Sequence, residues 1–193
     1  MLIDLDTTSL NRRELLLTAG VGLSSLLPLP AWSQEHAPDV GNDFWKRPRR
    51  IQLRHLNGDK IDSIYWSDGE IILSGYRELS HFMRDRRFDK AVYMNITVLD
   101  ILYGINGWLN YFNIKSGVNF HSGFRTKKHN SLLEGAAKNS RHLYAQASDI
   151  SIPGINTLQI AKFGLWLGGG GVGWYPVKNF VHLDTGTIRT WRG

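Results

Sequence analysis

Two short stretches of this sequence carry side chains that could hold a metal ion. In the first, Ser140-Arg141-His142-Leu143-Tyr144-Ala145-Gln146-Ala147-Ser148-Asp149-Ile150, an imidazole and a carboxylate stand seven residues apart. Neighbours on one helical turn lie three or four residues apart, so a bend must bring these two together, and a loop running into a strand would do so. From Ala147 to Ile152 the residues alternate: Ile150 and Ile152 face one way and Asp149 the other, as in a half-buried strand with one functional face. In the second stretch, Asn179 to Gly186, Val181 and Leu183 alternate with His182 and Asp184 in the same manner. Two imidazoles and one carboxylate, with a fourth position left for water, are the ligand set of a catalytic zinc centre. Either stretch alone reads more simply as a hydrogen-bonded structural histidine, and it is their combination that favours a metal.

The rest of the chain must supply a sheet and helices to hold these groups. Arg49 to Leu56 alternates, Asn57-Gly58-Asp59 supplies turn chemistry, and Lys60 to Trp66 returns, which predicts a hairpin with His55 as an ordinary polar strand residue. Helices are expected over Tyr76–Phe88, over Ile96–Phe112 with apolar residues three and four apart, over Ser131–Lys138, and over Asn156–Leu167 after Pro153-Gly154. The Trp and Tyr residues of the first two read as core. Gly168, Gly170 and Gly173 match the dinucleotide fingerprint by letter, but they follow a helix instead of opening one, so a turn lining a groove is expected there. Thr187 to Trp191 should close the sheet. His121 and His129 flank the Arg125 turn and read either as extra site groups or, by default, as exposed loop histidines.

The order Ser122-Gly123-Phe124-Arg125-Thr126, Asn130, Ser140-x-His142-x6-Asp149, Gly173-Trp174-Tyr175-Pro176 and Phe180-Val181-His182-Leu183-Asp184 resembles the lysostaphin, D-alanyl-D-alanine peptidase and Sonic hedgehog metallopeptidase superfamily. Within it the chain is similar to the YcbK-like murein endopeptidases, from about residue 45 to the end. The resemblance implies an α+β hedgehog/DD-peptidase-like fold, a small central antiparallel sheet flanked by helices, in a domain spanning 49–193. It implies one zinc ion per chain bound by His142, Asp149 and His182, and hydrolysis of peptide cross-links in peptidoglycan. Arg125 resembles the residue that meets the substrate carbonyl; a guanidinium there could bind a carboxylate or stabilise charge on a carbonyl oxygen, or else pair with a nearby loop. Ser140 resembles a substrate-binding or supporting residue. The resemblance fails at Asn179, where a carboxylate base often stands three residues before the last histidine ligand. Asp184 remains, either as the catalytic base or as the group that orients an imidazole. Ala145 stands where related chains commonly have glycine, which matters only if the backbone there is left-handed. The loss of the usual base keeps open a catalytically silent module that binds wall or partner proteins, and a D,D- or L,D-carboxypeptidase is a further reading.

Composition is compatible with this chemistry. The 193 residues suffice for one domain with a substantial core, and the absence of cysteine excludes disulfides and leaves nitrogen and oxygen as metal donors. Arg12-Arg13 before the apolar run Leu15–Leu23 resembles a twin-arginine export signal, with cleavage expected near Ser33 and a periplasmic destination. The run is too short and too broken for a membrane span, so the mature form is expected to have none, the second reading being an uncleaved N-terminal anchor. Residues 34–48 read as a flexible lead-in. Removal of 1–33 takes away two basic and three acidic residues, leaving 21 minus 14, or +7. That cationic surface suits anionic envelope polymers. Without aromatic residues interleaved among the basic ones it does not suit nucleic acid, and the peptide stems of peptidoglycan and a monomeric state are the expected partners and assembly.

Overall fold

The computed structural model describes residues 42–193, and the expected export segment lies outside the described residues. Helix α1 (Asn42–Lys46) belongs to the segment read from sequence as flexible, yet its Phe44 ring stacks on Tyr103 with centroids 4.5 Å apart. Burying that ring is what holds residues 42–46 of that segment. Strands β1 (Arg49–His55) and β2 (Lys60–Ser67) form the expected antiparallel hairpin, with Ile51 and Leu53 buried and the residues between them exposed. Strand β3 (Glu70–Ile71) extends it.

Helix α2 (Leu73–Phe82) starts and stops earlier than the sequence suggests. Met83 caps it, and Asp85 holds the turn that follows: its carboxylate accepts the N–H groups of Arg87 and Phe88, and its backbone exchanges hydrogen bonds with Lys90. Helix α3 (Ile96–Tyr111) matches expectation and is capped by Asn95, which accepts from the Thr97 N–H at 2.8 Å. Strand β4 (Asn119–Ser122) follows. Helix α4 is Lys127–Ser131, one turn before the expected Ser131–Lys138, because Thr126 supplies the cap by accepting from the His129 N–H. A 3-10 turn (Arg141–Tyr144), β5 (Ala147–Ser151) and α5 (Thr157–Leu167) come next, α5 opening on a capping box between Asn156 and Gln159. Strands β6 (Gly171–Tyr175), β7 (Phe180–Asp184) and β8 (Arg189–Arg192) complete the chain.

The class is α+β as expected, but the sheet is not small and not wholly antiparallel: eight strands lie in the order β3-β2-β1-β4-β5-β7-β6-β8. Strand β4 runs parallel to β1, and β8 parallel to β6. The first pairing is possible because α2 and α3 supply the long crossover that parallel strands require. The second arises because β7 doubles back along β6, so the next strand must run in the direction of β6. One face of the sheet, carrying Ile51, Leu53, Phe120, Ile150, Val172, Val181 and Leu183, joins the buried side chains of α2, α3 and α5 in a single core. The alternate residues of β5 and β7 are left for the opposite face.

Candidate metal centre

Strands β5 and β7 pair with Asp149 directly opposite His182. The alternation that sends Ile150 and Val181 into the core therefore sets Asp149 and His182 side by side on the other face. His142 arrives from the 3-10 turn, which is closed by Ala145 at φ 54°, ψ 31°. This left-handed residue reverses the chain and lets seven residues fold His142 back over Asp149.

The three side chains converge. His142 Nε2 lies 3.1 Å from Asp149 Oδ1 and 3.1 Å from His182 Nδ1, and His182 Nδ1 lies 2.9 Å from Asp149 Oδ1. The outer nitrogens fix the tautomers. His142 Nδ1 is 2.6 Å from the Gly123 carbonyl, which can only accept, so Nδ1 carries the hydrogen and Nε2 is a bare lone pair. His182 Nε2 donates to Asp184 Oδ2 at 3.0 Å, so its Nδ1 is bare as well. Two imidazole lone pairs and an anionic oxygen thus face one another with no hydrogen between them, an arrangement that repels itself unless a cation fills it. For metal bonds of 2.0–2.1 Å the edges of a tetrahedral face are about 3.3 Å, close to the triangle found, so this donor set fits a divalent ion.

The electrostatics agree. All three residues are at most 8% exposed. Burial lowers the His142 pKa, a shift that Asp149 only partly offsets. Burial also works against the charged form of His182, but the neighbouring carboxylates of Asp149 and Asp184 outweigh it and raise this imidazole. Burial opposes the Asp149 charge too, and the two imidazoles overcome it, holding the carboxyl well below its usual range. The centre attracts positive charge.

Asp184 does not face the triangle. It is 1% exposed and sits on the far nitrogen of His182, where it also accepts from the N–H groups of Gly171 and Gly186 and from both terminal nitrogens of Arg189. The glycine turn packs against Asp184: Gly168 caps α5 at φ 67°, and a Cβ on Gly170 would lie 2.1 Å from the Asp184 main-chain carbonyl oxygen. Arg125 lies beside the centre, its Nε donating to Ser122 Oγ at 2.7 Å and its Nη2 to Asp149 Oδ2. Ser140 precedes the 3-10 turn, half-buried, and its hydroxyl caps no backbone N–H.

Neither His121 nor His129 is the exposed loop residue expected. His121 sits on β4, half-buried, with Nε2 2.7 Å from Ser151 Oγ and its ring 5.9 Å from that of Phe180. His129 Nδ1 meets Asp85 Oδ1 at 2.9 Å. Asp85 escaped sequence reasoning altogether: it is 1% exposed and also accepts from the Thr126 N–H and hydroxyl, anchoring the turn that carries Arg125. Its partners lie about forty residues away, and no local spacing marks it. Arg189, five residues from Asp184, and the Gly123 carbonyl, nineteen from His142, were missed as well, because both pair across turns that no local spacing marks. His55 is the polar strand residue expected, 2.9 Å from Asn57 Oδ1.

Comparison with known proteins gives a consistent picture. A peptidase family model described as peptidoglycan L,D-endopeptidase MepK matches residues 44–191. The peptidoglycan L,D-endopeptidase MepK of Escherichia coli K12 is 36% identical over 193 residues, covering 97% of this chain and 100% of that protein. The probable peptidoglycan L,D-endopeptidase MepK of Haemophilus influenzae is 29% identical over 189 residues, covering 95% of this chain and 96% of that protein. No solved structure gives a significant match. A model spanning most of the described residues, a relative matched along its whole length, and a peptidase-like donor triangle lead to one conclusion: this chain belongs to the peptidoglycan L,D-endopeptidase MepK family of peptidases.

Proposed function

We propose that this chain is a zinc-dependent endopeptidase that hydrolyses L,D peptide cross-links of peptidoglycan, working as a monomer in the periplasm after export through a twin-arginine-type signal at residues 1–33. The observation that carries the reading is the convergence of His142 Nε2, Asp149 Oδ1 and His182 Nδ1 with both imidazole hydrogens turned outward. The relatives' names supply the bond type, and the donor set of two nitrogens and one oxygen supports zinc.

Bound by these three residues, the ion would polarise the scissile carbonyl and bring the attacking water's pKa toward neutrality. The chain's own residues do the rest. Asp184, already accepting four N–H groups besides the His182 ring, is placed to orient that ring and not to take a proton from water. Arg125 is clamped through Nε and Nη2, which leaves Nη1 as the donor toward a substrate carbonyl as negative charge develops on its oxygen. The Ser140 hydroxyl, unspent on its helix turn, is available to hold the peptide stem.

The test is digestion of purified cross-linked peptidoglycan by the zinc-loaded protein with and without chelator. Muropeptide dimers should disappear and their monomers accumulate only in the metal-loaded arm. Intact dimers with zinc demonstrably bound would overturn the enzymatic reading in favour of a binding module, the alternative that Asn179 in place of a carboxylate keeps in view.

A further inference from the structure

Beside the metal centre the sheet face opens into a cavity of about 420 Å³, lined by Asn119, Ser151, Asn156, Asn179 and the turn 152–155. That volume falls within the usual range for small-ligand sites. It lies along the same strands as the metal ligands: Ser151 is two residues beyond Asp149 on β5, and Asn179 is three before His182. At about 3.3 Å per residue the cavity begins roughly 7–10 Å from the centre. His121, on the neighbouring strand β4, fixes the Ser151 hydroxyl at 2.7 Å.

The hydrogen bonds of the lining amides determine what the cavity can bind. Asn119 Oδ1 accepts from Arg54 Nε at 3.2 Å, and Asn156 Oδ1 accepts from the Leu158 N–H at 2.8 Å. Both partners are donors, so the carboxamide oxygens must face them, and the Nδ2 hydrogens are what remains. Among the described residues no acceptor is bonded to either Nδ2 group. No acidic side chain lines the cavity, and the Arg54 guanidinium is hydrogen-bonded to Asn119. A wall of spare N–H donors backed by a guanidinium favours an anionic acceptor.

We infer that this cavity is a substrate subsite that receives a free carboxylate of the peptide stem, held by the outward N–H groups of Asn119 and Asn156 about two or three residues' length from the scissile bond. The inference rests on the peptidase reading given above and specifies its substrate, since an extended stem advances about 3.3–3.6 Å per residue and so reaches the cavity from the metal.

The amide oxygens allow a clean test. Asn119→Asp and Asn156→Asp each keep an oxygen for Arg54 or for the Leu158 N–H and replace only the outward NH2 by a second acceptor, so the fold and cap should survive. The zinc-loaded double variant should show KM raised at least about tenfold on carboxylate-bearing muropeptide dimers, with kcat within about twofold of the parent. Parent and variant should differ little on dimers whose stem carboxylates are converted to amides. In parallel, a stem tripeptide with a free terminal carboxylate, titrated into the zinc-loaded parent, should shift the Asn119 and Asn156 side-chain amide resonances, while its carboxamide analogue should not. Equal KM for parent and double variant, or equal shifts with both tripeptides, overturns the subsite. Should the parent cleave no dimer while the tripeptide shifts persist and vanish in the double variant, the subsite stands and the peptidase reading falls.

Discussion

The hydrogen bond from His182 Nε2 to Asp184 Oδ2, 3.0 Å long, decides which nitrogen of that ring faces His142 and Asp149. Because Asp184 is itself fixed by Arg189, Gly171 and Gly186, the ring cannot rotate without breaking a buried network. Asp184→Ala should therefore weaken zinc binding by roughly 10- to 100-fold while the protein stays folded. Competition against a chromophoric chelator reads this directly. An unchanged zinc affinity would show that the ring is held by something else.

Metal should also stabilise the fold, since the bare triangle of lone pairs and carboxylate repels itself. Zinc at a hundred times its dissociation constant contributes about 2.7 kcal/mol by mass action. For a domain of this size that raises the melting temperature by roughly 5–10 °C. Calorimetry of chelated and zinc-loaded protein measures the shift, and His142→Ala should abolish it.

Arg125 holds Asp149 and Ser122 through two arms of its fork. Arg125→Lys preserves the charge near Asp149 but loses the planar pair of donors. Zinc content should be unchanged and kcat/KM on cross-linked muropeptides should fall by about a hundredfold, the usual cost of removing one donor to a developing oxyanion. Steady-state kinetics with metal analysis on the same sample separates the two effects.

Asp85 links stability to pH. Burial favours its neutral form, but hydrogen bonds from the Thr126 N–H and hydroxyl outweigh this and hold its pKa below the ordinary 3.8. A carboxyl with a lowered folded pKa stabilises the native state fully above its unfolded value, and that contribution is lost as pH falls through the folded value. Asp85→Ala should cost about 3 kcal/mol at pH 7, and the difference between parent and variant should begin to shrink only as pH falls below the ordinary 3.8. Urea unfolding at a series of pH values tests it.

Ala145 occupies a left-handed conformation at φ 54° and is 3% exposed. The Cβ penalty there is about 1 kcal/mol, more than one buried methyl returns in a tight turn. Ala145→Gly should raise stability by about 0.5–1 kcal/mol with no loss of zinc affinity. A lower melting temperature would mean that the methyl packs better than the backbone is strained.

Much of the centre could be read along the chain, because alternation on a strand is a local property. Ile150 and Ile152 against Asp149, and Val181 and Leu183 against His182 and Asp184, already separate a core face from a chemical face before any pairing is known. The helices over 96–111 and 157–167 were legible for the same reason, their caps and apolar spacing lying within a few residues. What the chain alone left open is everything set by partners distant in sequence. The register that puts Asp149 opposite His182, the parallel placement of β4 and β8, the reversal at Ala145 and the turning of Asp184 away from the triangle all depend on contacts across the fold. Residue types and local periodicity put Asp149 and His182 each on the non-core face of its strand; only tertiary packing brought His142 to them and decided which nitrogens meet and which carboxylate holds them, because hydrogen-bond direction is fixed by neighbours that sequence spacing does not encode.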